Sequence, residues 1–277
     1  MKQKIALQLY SVRDRMEQDF EGTLREVSEI GYEGVEFAGL HGKEPAEVRT
    51  LLHALGMEAV SAHVPLAEMI AHPEEVFAAY QEIGCHFLAI PYLPLEYRPN
   101  SGKFEQVIEW IKQLGALAER HQMTLLYHNH DFEFEKIEGE YALDRLYRLI
   151  PSALLQTEID TCWVHVAGED PCQYLRKYCG RAPIVHLKDF VMPGKKPAKM
   201  YRLIGMEDSG AADHDAFEFR PLGYGAQDVG ALLRACEDVG AQWVVVEQDA
   251  PSLQHDSMGC ARMSIDTLKT LGENDHE

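Results

Sequence analysis

Four times along the chain an apolar residue and a glycine close a helical stretch, and a run of β-branched or aromatic residues opens within a few positions: IGYEGVEF, LGMEAVSAH, IGCHFLAIPY and VGAQWVVVEQD. Gly31, Gly56, Gly84 and Gly240 stand where a helix can end in the left-handed backbone that costs glycine least, and the residues after them favour strands. Such a joint is the turn from helix to strand in an α/β protein. Its recurrence restricts the chain to architectures in which the two elements alternate.

The stretches between joints keep helical period. From Ser101 to His121, Phe104, Val107, Ile108, Ile111, Leu114 and Ala118 recur at three- and four-residue steps, as Phe20, Leu24 and Val27 do earlier. Eight strand-like runs alternate with them: Ile5–Leu9, Gly34–Phe37, Glu58–His63, Phe87–Pro91, Thr124–His130, Leu155–Asp160, Pro183–Lys188 and Trp243–Gln248. Eight strands in 277 residues suit a (β/α)8 TIM barrel better than a doubly wound open sheet. A dinucleotide fold would place GxGxxG after its first strand, where this chain reads LQLYSVRDR without a glycine. The expectation is an α/β protein, a single barrel domain over residues 1–277. The irregular span 190–227, too long for an ordinary connection, is expected to fold over the C-terminal face.

Charge narrows the partners. With 45 acidic against 26 basic residues the formal charge is −19, which repels a phosphate backbone and argues against nucleic acid. No apolar run approaches the roughly eighteen residues of a membrane span, and the N-terminal MKQKIALQLYSVRDR lacks the apolar centre of a signal peptide, so the expectation is a cytoplasmic protein without a membrane partner. The six cysteines form no CxxC pair and read as reduced, mostly buried thiols. Outer helices of such barrels commonly pair, so a homo-oligomer is compatible with the pattern.

Polar residues gather at the C-terminal ends of the strands: Gln8 and Tyr10, Glu36, His63, Tyr92, His128 and His130, Glu158 and Asp160, His186 and Lys188, Glu247 and Asp249. In a closed barrel these converge on one mouth, where barrel enzymes do their chemistry. His63 or Glu36 alone would read as structural; the set does not. Asp160 ends LQTEIDT, His186 sits inside IVHLKD, and Glu247 ends the apolar run WVVVEQ, where an unpaired carboxylate is costly to bury; a divalent cation would compensate all three. Mixed Asp/Glu/His ligation suits Mn²⁺, Mg²⁺, Co²⁺ or Zn²⁺. His128 and His130 share one side of their strand by the two-residue period, as do His186 and Lys188.

The opening IALQLYSVR, the joint IGYEGVEF, and then HNHDFEF, EIDTCWV, VHLKDF, PLGYGAQD and VVVEQD resemble the sugar phosphate isomerase/epimerase family with the xylose isomerase-like barrel, over essentially the whole chain. The resemblance implies one divalent metal held by four consecutive strands. Asp160, His186 and Glu247 match three ligands. The fourth falls in TLLYHNHDFEFE, with Glu133 favoured because it keeps the carboxylate count and His130 as the alternative. It also implies an enediolate route in which two glutamate ligands, here Glu133 and Glu247, act as acid and base, with Lys188 polarising a substrate oxygen and Glu36, His63, His128 and His130 contacting substrate. The expected activity is a metal-dependent isomerase or epimerase on a sugar, keto-sugar or inositol derivative. The alternative is a lyase or dehydratase on a 3-keto-sugar or 3-keto-glycoside. A repair endonuclease of this barrel type is disfavoured by the charge. For a phosphorylated substrate only PGKKPAK, 193–199, offers clustered positive charge.

Overall fold

The computed structural model describes residues 3–194 and 217–274. Its eight barrel strands are β1 Lys4–Gln8, β2 Gly34–Phe37, β3 Glu58–Ala62, β4 Phe87–Ile90, β5 Thr124–His128, β6 Gln156–Asp160, β7 Ile184–Leu187 and β8 Trp243–Val246. All neighbours pair in parallel, in the order β3-β2-β1-β8-β7-β6-β5-β4. A bridge from His63 to Ala89 brings β3 onto β4, with Val64 N–H donating to Ala89 O at 3.0 Å. The expected TIM barrel forms, and each strand ends within two residues of its predicted position.

Eight principal helices follow the strands: α1 Phe20–Ile30, α2 Pro45–Leu55, α3 Pro73–Ile83, α4 Phe104–Arg120, α5 Ala142–Leu149, α6 Pro171–Lys177, α7 Val229–Val239 and α8 Ser257–Asn274. Their ends obey local chemistry. Asp19, Asp170 and Asp228 accept the first free N–H groups of α1, α6 and α7, and proline opens α2, α3 and α6 where its missing N–H costs nothing. Gly31, Gly56, Gly84 and Gly240 close α1, α2, α3 and α7 with φ of 106°, 67°, 107° and 77°.

Period two along the strands separates two cores. Leu7, Val35, Leu88, Tyr127, Ile159, Val185 and Val244 join the layer between strands and helices, with Leu24, Leu52, Phe77 and Ile111. Ala6, Val60, Phe87, Ala89, Leu126, Ile184, Trp243 and Val245 form a separate cluster inside the barrel. Four inward positions one step further along, Gln8, His128, His186 and Glu247, are polar and buried. The barrel is thus plugged at one end and polar at the other.

In the span 190–227, Asp189–Val191 pairs antiparallel with Glu218–Arg220. The Asp189 carboxylate accepts N–H groups of Phe190, Gly223, Gly225 and Gln227, which gathers PLGYGAQD around one side chain. A Cβ on Gly225 would lie 2.2 Å from Asp189 Oδ1 and 2.5 Å from Phe190 O, so only glycine fits there. Most of PGKKPAK, from position 195 on, lies outside the described residues.

Candidate metal and active site

His128, Asp160, His186 and Glu247 come from four consecutive strands, β5 to β8, and each offers a donor atom within 4.8 Å of the other three. All four are buried. Each ring is set by a partner on its far side. His128 Nδ1 lies 3.2 Å from Pro91 O, so it donates there and leaves Nε2 facing the cluster. His186 Nε2 lies 2.7 Å from a Glu36 oxygen, which leaves Nδ1 facing Glu247 at 3.0 Å. A ring nitrogen tied to a carbonyl or carboxylate, with its other nitrogen free, is the usual support of a metal-binding imidazole. Asp160 spends Oδ1 on the Trp163 N–H at the start of the helix Thr161–Val166, and Oδ2 points into the cluster.

Two of these buried atoms, His128 Nε2 and Asp160 Oδ2, make no hydrogen bond among the described residues, although Lys188 Nζ stands 3.3 Å from Oδ2 as an ion pair. They lie 3.4 Å apart, and His128 Nε2 is 3.6 Å from Glu247. Leaving the imidazole nitrogen unsatisfied costs about 1–3 kcal/mol. A divalent cation among the four donors satisfies both at once. Two imidazoles and two carboxylates are a donor set that such ions accept, so the residues fit the metal the pattern implies.

Below this cluster lies a second ring of polar residues. Gln8 and Ser61 donate to Glu36, and His63 Nε2 lies 2.7 Å from Glu158 and 3.3 Å from Glu36. Burial works to raise Glu36, but His63 and His186 overcome it and draw the carboxyl below its ordinary range. Burial and the neighbouring Glu36 push Glu158 well above, so the pair shares its charge unequally. Burial holds His63 down to about 3, a neutral imidazole. His128 moves oppositely: burial would lower it, yet Asp160 and Glu247 lift it to about 9.

Lys188 is the buried counter-charge. Its Nζ lies 2.9 Å from Asp249, 3.0 Å from Glu247 and 3.3 Å from Asp160. Burial favours its neutral form, but these carboxylates hold it well above the ordinary lysine value. Burial raises Asp249 to about 6 against the pull of Lys188.

Several expected residues stand elsewhere than their assigned roles require. Glu133, favoured as fourth ligand and acid/base, is not in the cluster: Oε1 accepts from Tyr127 OH at 2.6 Å and Oε2 from His130 N–H at 2.8 Å. Tyr127 points outward to the helices because its neighbours Leu126 and His128 point inward, so it draws Glu133 outside the barrel wall. His128, expected to touch substrate, takes the fourth position. His130 is not in the cluster either; its ring stacks on Phe132 and tilts against Trp163. Glu36, expected at substrate, sits behind His186, and Lys188 lies beneath the cavity rather than on its lining.

The family model of the xylose isomerase-like TIM barrel matches residues 24–271. The chain belongs to this family. It is similar to an inosose dehydratase of Clostridium beijerinckii, 23% identical over 257 residues covering 84% of this chain and 83% of the relative. A sugar phosphate isomerase/epimerase from Parabacteroides distasonis superimposes with a TM-score of 0.76 at 17% identity, covering 97% of this chain and 94% of the other. The structure of IOLI protein with a binding zinc atom gives 0.73 at 14% identity, covering 97% of each chain.

In this xylose isomerase-like barrel a cavity of about 750 Å³ opens above the cluster. Tyr10, His63, His128, His130, Glu247 and Asp249 line it. Asp249 carried no assigned role in the sequence reading, although its place two residues past Glu247 puts it on the same inward side. Glu158 and Ser61 were likewise without a role, since nothing local marks a residue as supporting a ring from another strand. Among the described residues no helix is long and apolar enough to cross a membrane.

Proposed function

We propose that the protein is a divalent-metal-dependent lyase that eliminates a group from a keto-sugar or keto-polyol, with the metal held by His128, Asp160, His186 and Glu247. The observation that carries this reading is the asymmetry immediately around the cluster. Carboxylates Glu247 and Asp249 stand at the end of β8, whereas His63, His128 and His130 come from the ends of β3 and β5, with Glu68 and Glu75 on the helices that follow β3. The isomerase or epimerase expected from the resemblance needs a glutamate on each face of the reacting carbon, and Glu133 is held outside the wall. An elimination needs an acceptor for a carbon-bound proton on one side and a donor to the leaving oxygen on the other, which these walls supply. The similarity to an inosose dehydratase supports the same reaction class.

A bound divalent cation polarises a carbonyl and so acidifies the adjacent C–H. The chain supplies the rest. Asp249, at the cavity surface and fixed by Lys188, accepts the proton; an N–H of His63 or His130 meets the departing oxygen; Lys188 keeps Glu247 and Asp249 oriented. The test is to incubate Mn²⁺-loaded protein with a keto-inositol in D₂O and follow the products by NMR. Loss of water to an unsaturated ketone is expected. Recovery of an epimer deuterated beside the carbonyl, without water loss, would establish the epimerase instead. Asp249→Asn is expected to lower kcat by roughly 10²–10⁴.

A further inference from the structure

We propose that Arg98 is a positioning residue for the reaction: acting through Phe132, it holds the His130 imidazole with its Nε2–H turned into the cavity toward a substrate oxygen. The inference goes beyond the lyase reading, since such a donor serves elimination and epimerisation alike. Arg98 lies between β4 and α4, half-buried and outside the cavity lining. Its guanidinium carbon stands 4.1 Å from the centre of the Phe132 ring, and its Nε donates to Leu93 O at 3.1 Å. The Phe132 and His130 rings lie 5.5 Å apart with 7° between their planes. Trp163 follows at 5.1 Å from His130, and Lys188 Nζ is 5.5 Å from the indole. Three rings thus stand in sequence between two cations, each drawn to the electron-rich face of the ring beside it.

The backbone around His130 is fixed as well. Its N–H donates to Glu133 Oε2 at 2.8 Å, and Asn100 Nδ2, two residues past Arg98, donates to Glu135 at 3.0 Å. The stretch that carries Arg98 is thereby tied to the turn that carries Phe132. A donor fixed before the substrate arrives needs no reorganisation when charge builds on the oxygen, and a displacement of about 1 Å costs on the order of 10²-fold in rate. Arg98 therefore acts on turnover without touching the substrate.

Which ring nitrogen carries the hydrogen follows from burial. His130 lines the cavity, yet its Nδ1 is buried with no hydrogen-bond partner among the described residues. A buried N–H without an acceptor is the rarer defect, so Nδ1 is the bare nitrogen and Nε2 bears the hydrogen. The neighbouring histidines have theirs committed. His63 Nε2 lies 2.7 Å from Glu158 and 3.3 Å from Glu36, and His128 Nδ1 donates to Pro91 O. Of these three, His130 is the one that keeps an N–H for a substrate oxygen.

Two readouts test this: the tautomer, from the imidazole ¹⁵N signals of histidine-labelled protein loaded with diamagnetic Mg²⁺, and turnover of a keto-inositol by the Mn²⁺-loaded protein. The His130 signals are assigned by their loss in His130→Gln. The wild type is expected to carry the His130 hydrogen on Nε2. Arg98→Met, of similar length without the charge, is expected to draw the Nδ1 and Nε2 signals together as the ring is released. It is also expected to lower kcat roughly tenfold, with KM within about twofold. Arg98→Lys keeps a cation over Phe132 and is expected to restore both readouts. Phe132→Leu serves in place of Arg98→Met should the latter not fold. A wild-type hydrogen on Nδ1, signals or kcat unmoved in Arg98→Met, a loss confined to KM, or no recovery in Arg98→Lys overturns the inference and leaves the lyase reading standing. A wild type that removes no water from the keto-inositol overturns the lyase reading instead, and the His130 signals then decide the inference by themselves.

Discussion

Glu36 is fully buried, bonded to Gln8, Ser61 and His186, and it holds His186 in the tautomer whose Nδ1 faces the cluster. Changing it to glutamine preserves its size and weakens the orientation, so Glu36→Gln is expected to reduce Mn²⁺ affinity roughly 10–100-fold, measured by calorimetric titration. A substrate-contacting Glu36 would instead raise KM and leave metal affinity unmoved. Asp160→Asn removes a ligand charge and is expected to lower metal retained after dialysis still further, measured by elemental analysis. Glu133 affects stability. Burial raises its carboxyl from 4.5 to about 7, so between these values the unfolded chain has lost a proton that the folded protein keeps. Stability is therefore full below about pH 4.5 and falls as pH rises toward 7, by about 3 kcal/mol in total. Glu133→Gln, which retains groups for Tyr127 and His130, is expected to flatten this slope in urea denaturations at pH 5 and 7; an unchanged slope would locate it elsewhere. In the sequence, Asp160, His186 and Glu247 stand out as chargeable residues at the ends of, or inside, apolar runs. The place of His128 in the cluster was not legible, because its ring is set by a backbone carbonyl at Pro91, 37 positions away.

At the scale of elements, the joints were the most legible feature, since a left-handed helix end and the β-branched residues after it are local preferences. The antiparallel pair Asp189–Val191 with Glu218–Arg220 was not, because three-residue strands carry too little period to stand out. What holds this segment is Asp189, which accepts four backbone N–H groups. Asp189→Ala leaves those donors without their acceptor and is expected to cost about 3 kcal/mol or more, read as a shift in urea midpoint. Beside it, Trp163 packs among Phe190, Phe217 and Phe219, and its ring lies 5.1 Å from His130. Loosening the segment is therefore expected to reduce turnover as well as stability.

For the molecule as a whole, five buried acidic side chains (Glu36, Glu158, Asp160, Glu247 and Asp249) crowd one end of a chain whose formal charge is already −19. Lys188 faces three of them. A divalent cation bound only by the folded state adds stability by mass action, about 2.7 kcal/mol at a concentration 100-fold above its Kd. Chelation is thus expected to lower Tm by roughly 5–10 °C in calorimetry, with Mn²⁺ restoring it. The alternation of helices and strands, the barrel class and the set of polar strand ends follow from local order: glycine joints, two periods, and which residue terminates each apolar run. Those are short-range properties. Which polar residues face one another, which carboxylate lies behind an imidazole, and on which side of the barrel wall Glu133 falls depend on closure of the ring from β3 to β4. That closure brings side chains up to 150 positions apart within hydrogen-bond distance, as Glu36 and His186 show, and only the tertiary structure decides it.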